Sequence, residues 1–338
     1  MRLYRTVASF ILPLAFLVPS GVHAQFWSSA ASPDQSVLRF SLTQPPQRVL
    51  PGGAFHSATT DSTDRYPPPF DGYHPDSTSV RWDHALIVGG ALTGTVAAIH
   101  IYQQNAWWKD RRTSFHFVDD QDYALNVDKA GHFLGGAFGA FLGEKSLEWS
   151  GVSRDGSAIW GSVLGALFEL YVEVEDGYAL DWGFSKGDAI GDVAGAAWTL
   201  GQHFVPVLEN FQPKFTYYPS KKFRDGLHHG NAIDDYEGQT YWMAVHVHGL
   251  LPKSWKPYWP EWLAIAVGAS VRNMADFDGA TGVDKERNII ISLDYDMTKI
   301  LPTDTWWMRT LAEFLNFIHF PAPAIRISPN YIAYGLYF

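Results

Sequence analysis

Glycine recurs every fourth residue at Gly131, Gly135, Gly139 and Gly143, inside a run that is otherwise mostly apolar. Each glycine costs a helix about 1 kcal/mol relative to alanine, so a series of them needs a compensating reason. Residues four apart share one helical face, and a glycine stripe on that face lets a second backbone come close. Gly90 with Gly94, Gly161 with Gly165, and Gly187, Gly191 and Gly195 repeat the spacing. The pattern predicts a bundle of about four tightly packed helices around the apolar runs 85–102, 130–142, 157–168 and 189–200. Only the first run approaches the ~20 residues that cross a bilayer, which leaves one membrane-embedded helix open.

The flanks read differently. Residues 1–24 carry Arg2 and Arg5, an apolar core from Val7 to Val18 and a small-residue close at Ala24, the pattern of a secretory signal peptide. Residues 25–83 are interrupted by Gln44-Pro45-Pro46, Pro51-Gly52-Gly53 and Tyr66-Pro67-Pro68-Pro69, an irregular arm in which only 37–42 alternates as a strand would. The helical part spans 84–205. From 206 to 338 the segments 240–247, 263–271, 288–295 and 324–328 are β-branched or aromatic, separated by turns such as Phe277-Asp278-Gly279 and by one helix over 304–317 that ends before Pro321. The expected fold class is α+β: the glycine-rich bundle followed by an antiparallel β region that a partial barrel would also satisfy. Ile332, Tyr334, Leu336 and the terminal Phe338 alternate as one apolar face, similar to the closing strand of outer-membrane barrels.

Composition narrows the setting. The chain has no cysteine, so disulfides and an N-terminal lipid on Cys are excluded, and stability rests on the core alone. Its net charge is −10, and loss of Arg2 and Arg5 with the leader makes it more negative, which argues against nucleic acid as a partner. Aromatics make up 15%, with 14 Trp and 16 Tyr, residues that favour membrane–water boundaries and broad binding surfaces.

Charges are sparse in the helical runs, and where they occur they fall on stripes. Asp128 and His132 are four apart; Glu169, Glu173 and Asp176 are spaced four and three; Asp188 and Asp192 are four apart. Facing helices would bring one imidazole and several carboxylates together, as bundle cores do when they build metal or acid/base sites. Asp128, His132, Glu173, Asp176 and Asp188 are therefore candidate catalytic residues. His132, Glu173, Asp176, Asp188 and Asp192 are candidate ligands for a divalent metal. The plainer alternatives are that Asp128 caps its helix, that Ser185 and Asp188 form a capping box, and that the polar groups only set helix register. His246-Val247-His248, read as a strand, puts two imidazoles on one face, with His228 and His229 upstream, although surface histidines explain them as well.

The ordered set Asp128-Lys129-Ala130-Gly131-His132-Phe133, Glu173-Val174-Glu175-Asp176-Gly177 and Trp182-Gly183-Phe184-Ser185-Lys186-Gly187-Asp188, with Asp192 and Gly195, resembles the YfiM-like family of predicted periplasmic lipoproteins of unknown function. Trp107-Trp108-Lys109, Phe115-His116-Phe117 and Tyr236-Glu237-Gly238-Gln239-Thr240-Tyr241-Trp242 look like its longer members from Bacteroidota-type bacteria, and VanZ-like membrane proteins are similar more distantly. The likeness covers about residues 84 to 260. The chain lacks the lipoprotein Cys, and Asp192 stands where such proteins usually carry Asn. The resemblance implies an exported protein of the periplasm or outer membrane. Three functions follow as expectations: a structural or scaffolding protein with membrane or envelope partners and room for a protein partner; a metal- or acid/base-dependent enzyme on a lipid-linked or cell-wall substrate; or a small-ligand or lipid-binding module.

Overall fold

The four apolar, glycine-bearing runs are helices: α1 (Trp82–Asn105), α2 (Val127–Trp149), α3 (Arg154–Asp176) and α4 (Lys186–Phe204). The computed structural model describes residues 66–338 apart from 106, 107, 109, 110, 229–231 and 275–283. The signal-like start, the strand expected at 37–42, the turn at 277–279, Trp107, Lys109 and His229 lie outside the described residues.

Glycine has the effect its spacing implies, and α2 is the helix that uses it. A Cβ added at Gly143 would lie 2.8 Å from Gly161 Cα, and one at Gly139 would lie 3.2 Å from Gly165 Cα, so α2 and α3 meet backbone to backbone. On another side of α2, a Cβ at Gly136 would fall 2.0 Å from Asp192 O, and one at Gly195 would fall 1.9 Å from Phe133 O. Thus α4 presses on α2 just as closely. Gly131 and Gly135 instead accommodate side chains, Tyr241 and Glu169. The expectation fails at α1, where Gly90 and Gly94 have nothing within 4 Å. That helix joins the others only at its margins, and its most apolar stretch has no buried residue. By length and composition α1 and α3 are both apolar enough to cross a membrane, α3 with a third of its apolar stretch buried.

Strands β1 (Phe117–Val118) and β2 (Phe184–Ser185) form a short parallel pair that ties the segment before α2 to the start of α4. The remaining strands are β3 (Phe211–Tyr217), β4 (Gln239–Val245), β5 (Leu263–Arg272), β6 (Glu286–Tyr295), β7 (Ala322–Ser328) and β8 (Ile332–Tyr337). They form one antiparallel sheet in that order. One-turn helices α5 (Lys221–Arg224), α6 (Val247–Leu250) and α7 (Met297–Ile300) sit in its connections, and α8 (Trp306–Leu315) precedes β7. Helices and sheet belong to one compact unit, residues 67–338.

The strands do not close a barrel, but the sheet is strongly curled. Thr240 on β4 meets Tyr337 on β8 at 3.2 Å, and Lys214 on β3 meets Asp294 on β6 at 2.7 Å, both across strands that are not neighbours. A β-bridge between Phe215 and Ile318 adds the segment before β7 to the free edge of β3.

Two further expectations are corrected. The strand ends at Val245, so His246 caps α6 and His248 lies within it rather than the two sharing a strand face; His246 Nδ1 lies 3.6 Å from Asp296 and His248 Nε2 lies 3.8 Å from Glu261. The face expected along Ile332, Tyr334 and Leu336 is broken by a register shift between Ala322 and Ala324. Tyr334 and Tyr337 both pack on the inner core of Trp242, Ala244, Ala266, Ile290 and Ala324, and Leu336 is left exposed.

Gly136→Ala and Gly195→Ala are each expected to destabilise by about 2 kcal/mol or more, because a methyl has no room between touching backbones. Gly94→Ala should leave stability unchanged or raise it, as alanine does in an unobstructed helix. Thermal melts of the three variants check this; three equal Tm values would contradict the close approach.

Candidate functional site

His132 sits at the start of α2 among carboxylates from three helices. Its Nδ1 lies 2.9 Å from Asp192 Oδ1 and 3.8 Å from Glu173 Oε1. Its Nε2 lies 3.7 Å from Asp188 Oδ2 and 3.9 Å from Asp128 Oδ1. The two nitrogens thus define two sets of converging ligand atoms, Asp128–His132–Asp188 and His132–Glu173–Asp192, each spanning less than 4.8 Å. Glu173 and Asp192 are almost fully buried, and the His132 side chain keeps 22% of its surface.

Local structure explains the placement. Ala124, Leu125 and Asn126 have φ of 45°, 51° and 65°, a left-handed stretch that residues with side chains seldom adopt and that delivers Asp128 and Lys129 to the first turn of α2. Arg287 of β6 donates to Leu125 O and holds this turn. Asp128 is not the helix cap: Tyr236 donates its hydroxyl to Asp128 Oδ1 at 2.6 Å, and Lys129 reaches Oδ2 at 3.0 Å. Ser185 does cap α4, its Oγ accepting from Asp188 N at 3.2 Å. The reciprocal half of a capping box is missing, because Ser185 N donates to Glu173 Oε2 at 3.2 Å. The Asp188 carboxylate is thereby released toward His132.

Several participants were not singled out as site residues by the helical spacing of charges. Lys129 Nζ lies 2.7 Å from both Asp120 and Asp188, and Ser185 Oγ donates to Asp120 at 2.6 Å. Asp120 belongs to an irregular segment, Tyr236 to a turn and Tyr241 to β4; none has a helical spacing that could have flagged it. Asp176 lines the same cavity but stands apart from both ligand sets, held by the Trp108 indole N–H.

The cluster opens on a cavity of about 460 Å³. Its lining combines ionisable side chains, among them Asp128, His132, Glu169, Glu173 and Asp188, with apolar or aromatic ones such as Ile99, Phe168, Val172, Trp182 and Tyr241. Around His132 five carboxylates (Asp120, Asp128, Glu173, Asp188 and Asp192) share two cations, Lys129 and His132. By contrast, the fully buried pair Lys214–Asp294 is matched one to one. A buried charge without compensation costs several kcal/mol, so the surplus calls for either protons or a further cation. Asp192 Oδ2, wholly buried, has no hydrogen-bond partner.

Protonation follows this imbalance. Burial alone would lower the His132 pKa, but the Asp192 hydrogen bond and the charges of Asp188, Asp192 and Asp128 push it up to about 10. Burial raises Glu173 to about 8 and Asp188 to about 7, in each case against the pull of His132, and raises Glu169 to about 7. Asp192 is also raised by burial, opposed by its hydrogen bond to His132.

Comparison of the chain with protein-family models, curated proteins and solved structures returned no match.

Around His132 the pH dependence has one sign. The His132 contribution is complete below its unfolded value of 6.5 and is lost as pH rises through about 10. The raised carboxylates add a cost that grows from their ordinary values near 4 up to about 7 and 8. In both cases the folded chain holds more protons than the unfolded one. In chelator, Tm is therefore expected to fall between pH 7 and 10, above the range in which His246 and His319, both lowered by burial, act in the opposite sense; a flat or rising Tm across that range would contradict the surplus of buried carboxylates.

Proposed function

We propose that this chain is an enzyme of the cell envelope that uses a divalent cation, held by Asp128, His132 and Asp188, to hydrolyse an amphiphilic substrate. The observation that carries the reading is the Asp192–His132 hydrogen bond. It occupies Nδ1 and aims Nε2 at two carboxylates on the cavity wall, the arrangement in which a second carboxylate orients a ligating histidine. Ligand atoms around a cation with bonds of about 2.1 Å stand roughly 3–3.5 Å apart, and the three ligand atoms here lie within 4.8 Å of one another, with Nε2 at 3.7 and 3.9 Å from the two carboxylates, so the set has to contract around the ion. Lys129 keeps Asp128 and Asp188 together without occupying Nε2. A cation there would polarise a substrate oxygen or activate water. Glu169, on the cavity wall with a pKa near 7, is the group to carry a proton. The apolar part of the lining suits an acyl or prenyl tail, which makes a lipid-linked substrate the class of choice.

The scaffolding alternative has the capping role of Ser185 on its side, but a register lock needs matched charges, and this cluster is acid-rich. The small-ligand or lipid-binding alternative shares the cavity and differs only in lacking chemistry. Export to the envelope and association with a membrane are part of the proposal, supported by the signal-like first 24 residues and by the exposed apolar side chains of α1.

Titration of the chelator-treated protein with Mn²⁺ and Zn²⁺ by calorimetry tests the cation. One equivalent is expected, with affinity reduced 10-fold or more in His132→Ala and Asp188→Asn and unchanged in Asp176→Asn. Absence of binding, or equal binding by all variants, refutes it. Location is tested by fractionation: the chain is expected in the membrane fraction and resistant to alkaline washing, and recovery in the soluble fraction would contradict association.

A further inference from the structure

The curled sheet carries apolar side chains on its outer face as well as around its inner core of Trp242, Ala244, Ala266, Ile290 and Ala324. Register pairing puts Thr240, Ser270 and Asn288 on one face, with Trp242, Gly268, Ile290 and Arg326 in the next row and Ala244, Ala266, Ser292 and Ala324 in the one after. This is the concave face, where Lys214 and Asp294 pair with no exposed surface and Arg326 donates to Asn288 at 3.0 Å. On the convex face of β5 to β8 the rows read Ile265 with Leu293 and Val267 with Ile291 and Ile325, together with Ile327. Val267, Ile291, Leu293, Ile325 and Ile327 are each exposed by 38% or more. No charged residue interrupts them. A sheet with this second face in water would carry polar side chains there.

Both ends of this band are marked. Trp255, Tyr258 and Trp262 are exposed beside the Leu263–Tyr295 end, and Tyr331, 83% exposed, stands at the turn between β7 and β8 at the other. Arg272, Glu286 and Arg287 begin where the aliphatic rows stop. The strands β5 and β6 are ten residues long, the length that crosses a hydrocarbon layer when tilted. An uncharged, exposed aliphatic band with aromatic side chains at its two ends is the pattern that a bilayer selects on a β-surface.

We infer that the convex face of β5–β8 contacts the acyl layer of a lipid bilayer. The inference rests on the membrane association proposed above and names the surface that makes it; it is independent of any cation at His132. Over β3 and β4 that same face is taken by the bundle, since Tyr241 meets Gly131 of α2, so lipid contact is confined to the four later strands.

The natural absence of cysteine allows single labels. Val267→Cys, Ile291→Cys and Ile325→Cys, each carrying an environment-sensitive NBD fluorophore, are mixed with phosphatidylcholine–phosphatidylglycerol vesicles, with Asp225→Cys as an exposed control. The expected result is blue-shifted emission and loss of fluorescence to acyl-chain spin labels at the three sheet positions and neither effect at Asp225. Unlabelled Ile291→Asp, which keeps the strand but charges the face, is expected to float with vesicles less than wild type. If the wild type floats while all three labels report water, the assignment of this face is overturned and membrane association survives. If the wild type does not float, the association itself falls. If the labels are shielded without lipid and become exposed on dilution, the occupant is a second copy and the proposal is wrong.

Discussion

Contact between bare backbones is the constraint on which the rest depends. At Gly136 and Gly195 the axes of α2 and α4 come close enough that even a methyl would collide with a carbonyl oxygen. Beside that contact Asp192 lies 2.9 Å from His132. At Gly139 and Gly143 the same economy draws in α3, and with it Glu173 and Glu169. The glycine series thus costs helix propensity along α2 and returns a dense polar centre at its first turns.

Charge is treated in two ways within this chain. Beneath the sheet, Lys214 pairs with Asp294 and Arg326 with Asn288, and toward the far end of α2 Lys145, Arg154 and Arg309 face Glu144, Glu148 and Glu313. In these ion-paired groups the charges are matched. Around His132 the acids outnumber the bases, and the excess faces a cavity rather than a packed wall. That contrast, more than the mere presence of histidine and aspartate, separates a site from a structural network.

Helices and their acidic stripes were legible because both are local: spacing of four, repeated, survives in a one-dimensional string. His132, Asp128, Glu173, Asp188 and Asp192 followed from it. Lys129 and Asp120 did not, since their pairing crosses from an irregular segment to two helices. Strand β3 was equally hidden. Gln212-Pro213-Lys214 reads as a polar loop, and Lys214 becomes interior only because Asp294, far along the chain, receives it. The C-terminal strand was expected in the right place with the wrong face, because a single register shift in its partner β7 turns Tyr337 inward beside Tyr334. Alternation also misassigned His246 and His248, where a one-turn helix begins one residue before a strand would have ended.

Lys129 carries a last implication. By gripping Asp120, Asp128 and Asp188 at once, it acts as a permanent internal counterion, so repulsion among these three cannot splay the pocket mouth. A guest ion entering beside it finds oxygen atoms already gathered and little ordering entropy left to lose. The same tether softens the field any guest would feel, trading tightness of capture for ease of exchange.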